Sequence, residues 1–249
     1  MCIYTSTFFI TQRQSKATLI KNVNFTQYLR KELGFPDIIR KLGRFFESKV
    51  DSYMDMTIFQ VESNKILPRQ GGLLISAPFL KDFYFARSVV LMIEHNEEGS
   101  MGIVLNKNFS ALTTLNELVP ALEALPPIPL YRGGPVGKET LFFLHKLSYL
   151  KDALPLGNGL YVNGDFNQMQ QYLLSGAPTQ GVVRFFMGYA GWQKGQLQQE
   201  IEENSWVINN ENRVNLLNMY LRDLWQESLA DLGGKYAIWA RYPKYPIMN

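Results

Sequence analysis

His95 and His145 are the only two imidazoles of this 249-residue chain. Each stands among groups that could give it chemical work. His95 lies in IEHNEEG (93–99), beside Glu94, Glu97 and Glu98, and His145 ends the apolar run LFFLH (141–145). Two imidazoles with a carboxylate could hold a metal, and either imidazole beside a carboxylate could act as a general base. The local pattern favours neither, because H-x-E is not a ligand signature and both histidines sit at strand ends, where local hydrogen bonds account for them. There is no G-x-S-x-G elbow, and Ser76, Ser88 and Ser100 show no base partner in the sequence. Glu200, Glu202 and Glu203 share one short polar helix, which reads as a solvated face. Neither a catalytic residue, nor a metal, nor a cofactor is expected.

Two glycine runs invite a phosphate or dinucleotide reading, and both decline it. In GGPVGKET (133–140), Arg132 occupies the place of the first glycine of a phosphate loop, and Glu139 follows Lys138 where Ser or Thr is required. Pro135 also removes an N–H that an anion cradle would use. Gly133, Gly134 and Pro135 therefore read as a tight turn with positive φ. In GYAGWQKG (188–195) the glycines are spaced by three and four, unlike a dinucleotide fingerprint. Gly188 and Gly191 read as a turn that packs backbone around Trp192, with room for a ligand groove beside it.

The elements that must position these residues are mostly strands. GLLIS (72–76), SVVLMI (88–93) and MGIVLN (101–106) are short apolar runs, the last two joined by the turn NEEG (96–99) into an antiparallel hairpin. Residues 111–119 predict a helix ended by Pro120. Leu130–Arg132, LFFL (141–144), GLYVN (159–163) and VVRFFMG (182–188) predict further strands. Asp165 predicts a helix N-cap, with Gln168 completing a capping box and the helix running to about Leu174. A short helix at 196–203, a strand at 205–208 and an amphipathic helix at 217–232 follow, the last closing at Gly233. Strands outnumber helices without regular alternation. The fold class is α+β, with a mainly antiparallel sheet curled into a partial barrel and flanked by helices.

Charge divides the chain in two. Residues 1–53 hold nine Lys/Arg against four Asp/Glu, whereas residues 54–249 hold sixteen against eighteen. The near-neutral body gives no electrostatic case for nucleic acid, so direct DNA binding is not expected of it. The basic extension includes a helix from Pro36 to Val50 with Ile38, Ile39, Leu42, Phe45 and Phe46 at helical spacing. It reads as a peripheral helix packed on the body, as a surface for membrane or nucleic acid, or as a segment upstream of a natural start at Met54 or Met56. Cys2 is the single cysteine, which excludes an internal disulfide. No apolar run reaches the ~18 residues of a membrane span, and the N-terminus lacks a secretory pattern. The expectation is a cytoplasmic protein.

Taken in order, four segments together resemble the YqgE/AlgH family, often labelled transcriptional regulators. They are GGLLISAPFLKDFYFARSVVLMIEHNEEGSMGIVLNK (71–107), GGPV (133–136), LH (144–145) and GYAGWQKGQLQQEIEENSW (188–206). The resemblance implies a compact α+β fold with a partly curled sheet and brings no established catalytic chemistry. Its pattern falls on Pro78, His95, Gly99, Gly102, Asn106, Gly133, Gly134, Pro135, His145, Gly188, Gly191, Trp192, Gln196, Glu200 and Trp206. The chain departs where the family often carries Arg ahead of its Leu-His pair, having GKETLFF instead. Residues 1–53 lie outside the pattern. The resulting expectation is a non-enzymatic regulatory or interaction protein that works through a protein or small-molecule partner. His95, Asn106, His145, Trp192, Gln196 and Glu200 would converge on one ligand-binding cleft. The alternatives are a hydrolase using His95 or His145 with Glu98 or Glu200, and direct DNA binding through the basic extension.

Overall fold

Apolar residues on both sides of the same strands are the first determinant of the architecture. In β1 (Leu73–Ser76) and β2 (Val89–Asn96), Leu73, Ile75, Val89, Leu91 and Ile93 turn to one core, while Leu74, Val90 and Met92 turn to another. A strand buried on both faces reads as an unbroken apolar run, which is why the sequence shows little alternation there. The computed structural model describes residues 61–109, 113–218 and 223–243, all within the unit Ile58–Asn249. The basic extension, its helix at 36–50 and the alternative starts at Met54 and Met56 lie outside the described residues.

β3 (Gly99–Val104) closes the expected antiparallel hairpin with β2, and β9 (Trp206–Asn209) flanks β1. The other half of the sheet comprises β4 (Leu130–Arg132), β5 (Val136–His145), β6 (Leu154–Gly157), β7 (Leu160–Val162) and β8 (Val183–Gln193). The strand order is β6-β7-β5-β8-β3-β2-β1-β9, with β4 also beside β8. Every pairing is antiparallel except β4 with β8. The edges β6 and β9 do not meet, so the sheet is open. The class is α+β with a mainly antiparallel sheet, as expected.

Among the described residues, five α-helices flank it: α1 (Leu115–Leu118), α2 (Phe166–Leu174), α3 (Gln196–Glu202), α4 (Leu224–Leu232) and α5 (Gly234–Trp239). Leu224, Trp225, Leu229 and Trp239 from α4 and α5 cover one face of β1 and β2; Leu197 and Ile201 from α3 cover the other. α1 and α2 enclose a third core around Phe143 and Phe185. Exposed backbone on an edge strand invites pairing with another chain. Here the Asn64 amide engages both backbone groups of Ile208 in β9, donating to its carbonyl at 2.6 Å and accepting from its N–H at 3.1 Å.

Several local expectations change. The helix predicted at 111–119 is a single described turn, Leu115–Leu118, with Thr114 and Glu117 forming a capping box. The helix predicted from Leu217 is described from Leu224, and Leu217 is buried outside it. β6 was missed because Pro155 reads as a breaker; on an edge strand the missing N–H costs no ladder bond. Asp165 caps α2 by accepting from the Asn167 and Gln168 N–H groups, but the Gln168 side chain accepts from the Lys151 N–H instead of returning to the cap.

The largest correction concerns the glycine runs. Gly188 and Gly191 are not a turn: they lie inside the eleven-residue β8. Phe185–Met187 of β8 pair with β4, and Ala190–Gln193 pair with β3. Gly188, with φ +74°, falls at this change of neighbour. Gly133 and Gly134 are not positive-φ residues either; within their run only Gly137 is. Their role is close approach. A Cβ on Gly133 would stand 2.1 Å from the Gly188 carbonyl oxygen, and one on Gly134 would stand 2.0 Å from the Tyr189 carbonyl carbon. The Gly133 N–H donates to Met187 O, and its carbonyl accepts from Val104 N, each at 2.7 Å.

A second feature of β8 is Arg184, only 1% exposed. Its guanidinium donates to the Leu216 and Leu105 carbonyls at 3.0 and 2.9 Å and lies over the Tyr131 and Phe186 rings. Burial pushes this guanidinium down to about 10, which leaves it charged at neutral pH.

Gly134→Ala is expected to cost roughly 2–3 kcal/mol, because the backbone it would strike cannot move without breaking the β5–β8 approach. Gly176→Ala should cost no more than ~1–2 kcal/mol, since φ +74° is its one obstacle and nothing lies within 4 Å. Urea denaturation of the two variants checks the order; equal losses would contradict the close-approach account.

Candidate functional site

The residues expected to share a cleft are divided by the ladder register. Residues paired across an antiparallel ladder project to the same face. Ser100 pairs with both His95 and Trp192, so these three form one cross-strand row. Trp192 belongs to the core under α3. Gln196 and Glu200 reach it from that helix. The Trp192 and Trp206 indoles both donate to Glu200 Oε2, at 2.9 and 2.7 Å, while the Gln196 amide donates to Oε1 at 3.0 Å. Gln196 Oε1 in turn accepts from the Gln193 N–H at 3.0 Å. The two indoles meet edge to face, and the Phe85 ring lies beside both. Glu200 is thus the shared acceptor of a tryptophan pair and not simply part of a solvated face. Glu202 and Glu203 accept only from Gln198 and Gln199 on their own exposed helix surface.

The other two expected members lie elsewhere. Asn106 braces the start of β2, accepting from Val89 N at 3.0 Å and donating to Arg87 O at 2.8 Å. That is the opposite end of β2 from His95. His145 is fully buried at the end of β5, stacked between Phe143 and Tyr161. Its Nδ1 accepts from Leu147 N at 3.1 Å, so Nε2 carries the proton donated to Asn163 O at 2.8 Å. The six residues therefore do not share one cleft. Trp192, Gln196 and Glu200 come together with His95 in the adjoining row, whereas Asn106 and His145 are separate fold anchors.

His95 has a partner that sequence reading missed. Its Nδ1 lies 2.7 Å from Ser100 Oγ. The two are five positions apart, and only the register of the hairpin places them opposite one another. An imidazole beside a hydroxyl is the start of a nucleophilic pair. No described carboxylate hydrogen-bonds the other ring nitrogen, and the pair is exposed. Among the described residues no group of three His, Cys, Asp or Glu side chains could hold a metal ion, and no helix is long and apolar enough to cross a membrane.

A groove of about 590 Å³ opens where the β2–β3 hairpin, the start of β5 and the end of β8 meet. The row Glu94–Met101–Gly191 crosses it, with Tyr189 and Val136 on one side and Gly99 with Gln193 on the other. Met101 and Tyr189 pack against the core opposite α3. Gly191, alternating with Ala190 and Trp192 of the α3 core, therefore contributes a bare floor on this face. Among the described residues, Glu94 and Glu98 line the groove and no basic side chain does. Trp192 borders it while its ring is engaged on the α3 side. Met101, Val136 and Tyr189 gave no sequence signal, because their proximity depends on strand order.

Glu200→Ala is expected to lower stability by roughly 2–4 kcal/mol, since two buried indole N–H groups would lose their acceptor. Chemical denaturation with tryptophan emission as the probe checks this; a loss below ~0.5 kcal/mol would show that water replaces the carboxylate. Burial holds the His145 imidazole below its ordinary value, outweighing its hydrogen bond to Asn163 O. The unfolded chain therefore takes up a proton that the native state resists, and stability falls as pH drops through about 6.5. Denaturation midpoints across that range should show this slope, and His145→Gln should flatten it.

A family model described as AlgH-like matches residues 73–237. The chain is 46% identical over 192 residues to UPF0301 protein BF2109 of Bacteroides fragilis, covering 77% of this chain and 97% of that protein. It is 43% identical over 196 residues to a UPF0301 protein of Bacteroides thetaiotaomicron, covering 79% and 99%. Protein DIP2367 from Corynebacterium diphtheriae shares the fold, with TM-score 0.61 at 23% identity over 76% of this chain and all of that one. The solution structure of the AlgH protein from Pseudomonas aeruginosa is similar at TM-score 0.54 and 28% identity, covering 71% and 95%. The open sheet, the glycine approach to β8 and the tryptophan pair all fall within the matched residues: the chain belongs to the AlgH-like family.

Proposed function

We propose that the protein is a non-enzymatic interaction protein of the cytoplasm, and that the groove over Gly191 receives its partner. The occupant is a basic, hydrogen-bond-donating segment of another protein or a small ligand of the same character. The observation that carries this reading is the described lining: Glu94 and Glu98, with no basic residue among the described ones, over the bare backbone of Gly191. Trp192 and Glu200 serve it from behind, by holding the end of β8 against α3. Regulation would follow from occupancy of the groove. Direct DNA contact is left to the basic extension 1–53, which we treat as separate from the body 54–249.

One observation favours a second reading. The 2.7 Å contact between His95 and Ser100 would make Ser100 the nucleophile of a hydrolase and His95 its base. Among the described residues none bonds the other ring nitrogen to orient the imidazole, which weighs against it.

Titration of isotope-labelled protein with an arginine-rich peptide, and with a glutamate-rich control, separates these readings. Amide shifts confined to residues 94–101 and 189–193, seen for the basic peptide and lost in Glu94→Lys with Glu98→Lys, are expected. Equal shifts with the acidic control would sink the groove reading. Ester turnover that disappears in Ser100→Ala would replace it with the enzymatic one.

A further inference from the structure

We propose that a dianionic phosphoryl group, free or as the head of a phosphomonoester, binds between Arg132 and Lys138. This site is distinct from the groove over Gly191 and does not depend on it. A cavity of about 150 Å³ is lined by Tyr84, Phe109, Arg132, Gly134, Lys138 and Met187. Among the described lining residues two are cations and none is an acid. The one ion pair among the described residues is Arg69 with Glu211, so neither Arg132 nor Lys138 has a carboxylate partner there. Asp82, the acid nearest Tyr84 in the chain, accepts from the Tyr84 and Phe85 N–H groups at 2.8 Å.

The cavity is also built to keep its shape. The Arg132 guanidinium lies 5.5 Å from the centre of the Phe109 ring, and the Arg132 N–H donates to Lys107 O at 2.9 Å. Lys138 sits on β5 where that strand passes Gly188, close enough that a Cβ there would come within 3.5 Å of the Lys138 Cα. Gly134 contributes bare backbone pressed against Tyr189. A phosphate loop needs a helix after its lysine; here a strand continues instead, so the arrangement is a cationic notch between strands. Two positive charges, Arg132 over the Phe109 ring and the exposed Lys138, match a dianion, and an arginine fork suits phosphoryl oxygens. The volume is about half the ~300 Å³ lower end of drug-sized sites, which admits a tetrahedral anion with a short substituent and no nucleotide.

Calorimetric titration with inorganic phosphate, phenyl phosphate and benzoate at fixed ionic strength tests the site. Both phosphates are expected to bind in the millimolar range or tighter, and benzoate more weakly. Tighter binding of phenyl phosphate would assign the site to phosphomonoesters through the Tyr84 and Phe109 rings; tighter binding of inorganic phosphate would assign it to the free anion. Arg132→Gln and Lys138→Gln should each weaken binding about tenfold, with Lys151→Gln unchanged. Thermal melting of each variant establishes that it folds, and the exposed Lys138 keeps the test available if Arg132→Gln does not. Amide shifts should fall on Gly134 and Lys138 and spare the groove at 99–101. No binding of either phosphate, or binding untouched by Lys138→Gln, overturns the proposal.

Discussion

One strand has to serve two half-sheets, and it can do so only where its neighbours carry no side chains. β8 borders β5 along one side and, along the other, β4 first and then β3. At the changeover, Gly133 and Gly134 press against the backbone of Gly188 and Tyr189 at distances that any Cβ would violate. Remove that approach and β4 and β3 cannot both reach β8. The hairpin β2–β3, with β1, β9 and their helices, would lose its junction to the α2 half. Both cavities depend on the same junction. The acidic groove uses the end of β8 beyond Gly188, and the cationic notch uses the Gly134 backbone and Met187 before it.

Opposite charge character then follows from which strands meet at each cavity beside one junction. Glu94 and Glu98 come from the hairpin tip, while Arg132 and Lys138 come from the strands on either side of the glycine run. A nearly neutral body can therefore present two differently charged sites about one strand, which net charge conceals. Deeper in the same strand, Arg184 ties β8 to the Leu105 and Leu216 carbonyls, a charged link in a place where neutral side chains dominate. Two carbonyl acceptors and two aromatic faces offset the cost of burying the charge there.

Much of this was legible in the sequence and some was not, for identifiable reasons. GLLIS, SVVLMI and LFFL declared strands because a doubly covered strand is apolar throughout. Asp165 declared a helix start because its side chain has one local task. The glycines of GYAGW misled, because glycine in a strand and glycine in a turn look alike until its neighbour is known. Pairings such as His95 with Ser100, or Glu200 with two tryptophans, depend on register and helix docking, and a sequence of one chain carries neither. Half-buried Asn106 and buried His145 resembled site residues because polar fold anchors and ligand-binding residues use the same side-chain types.

Native-state hydrogen exchange along β8 tests the junction most directly. If the glycine approach welds the two half-sheets, the amides of Phe185 and Phe186 should exchange at the same global-unfolding limit as those of Ala190 and Trp192. Two separate opening energies, divided at Gly188, would contradict that account and make the halves independent units.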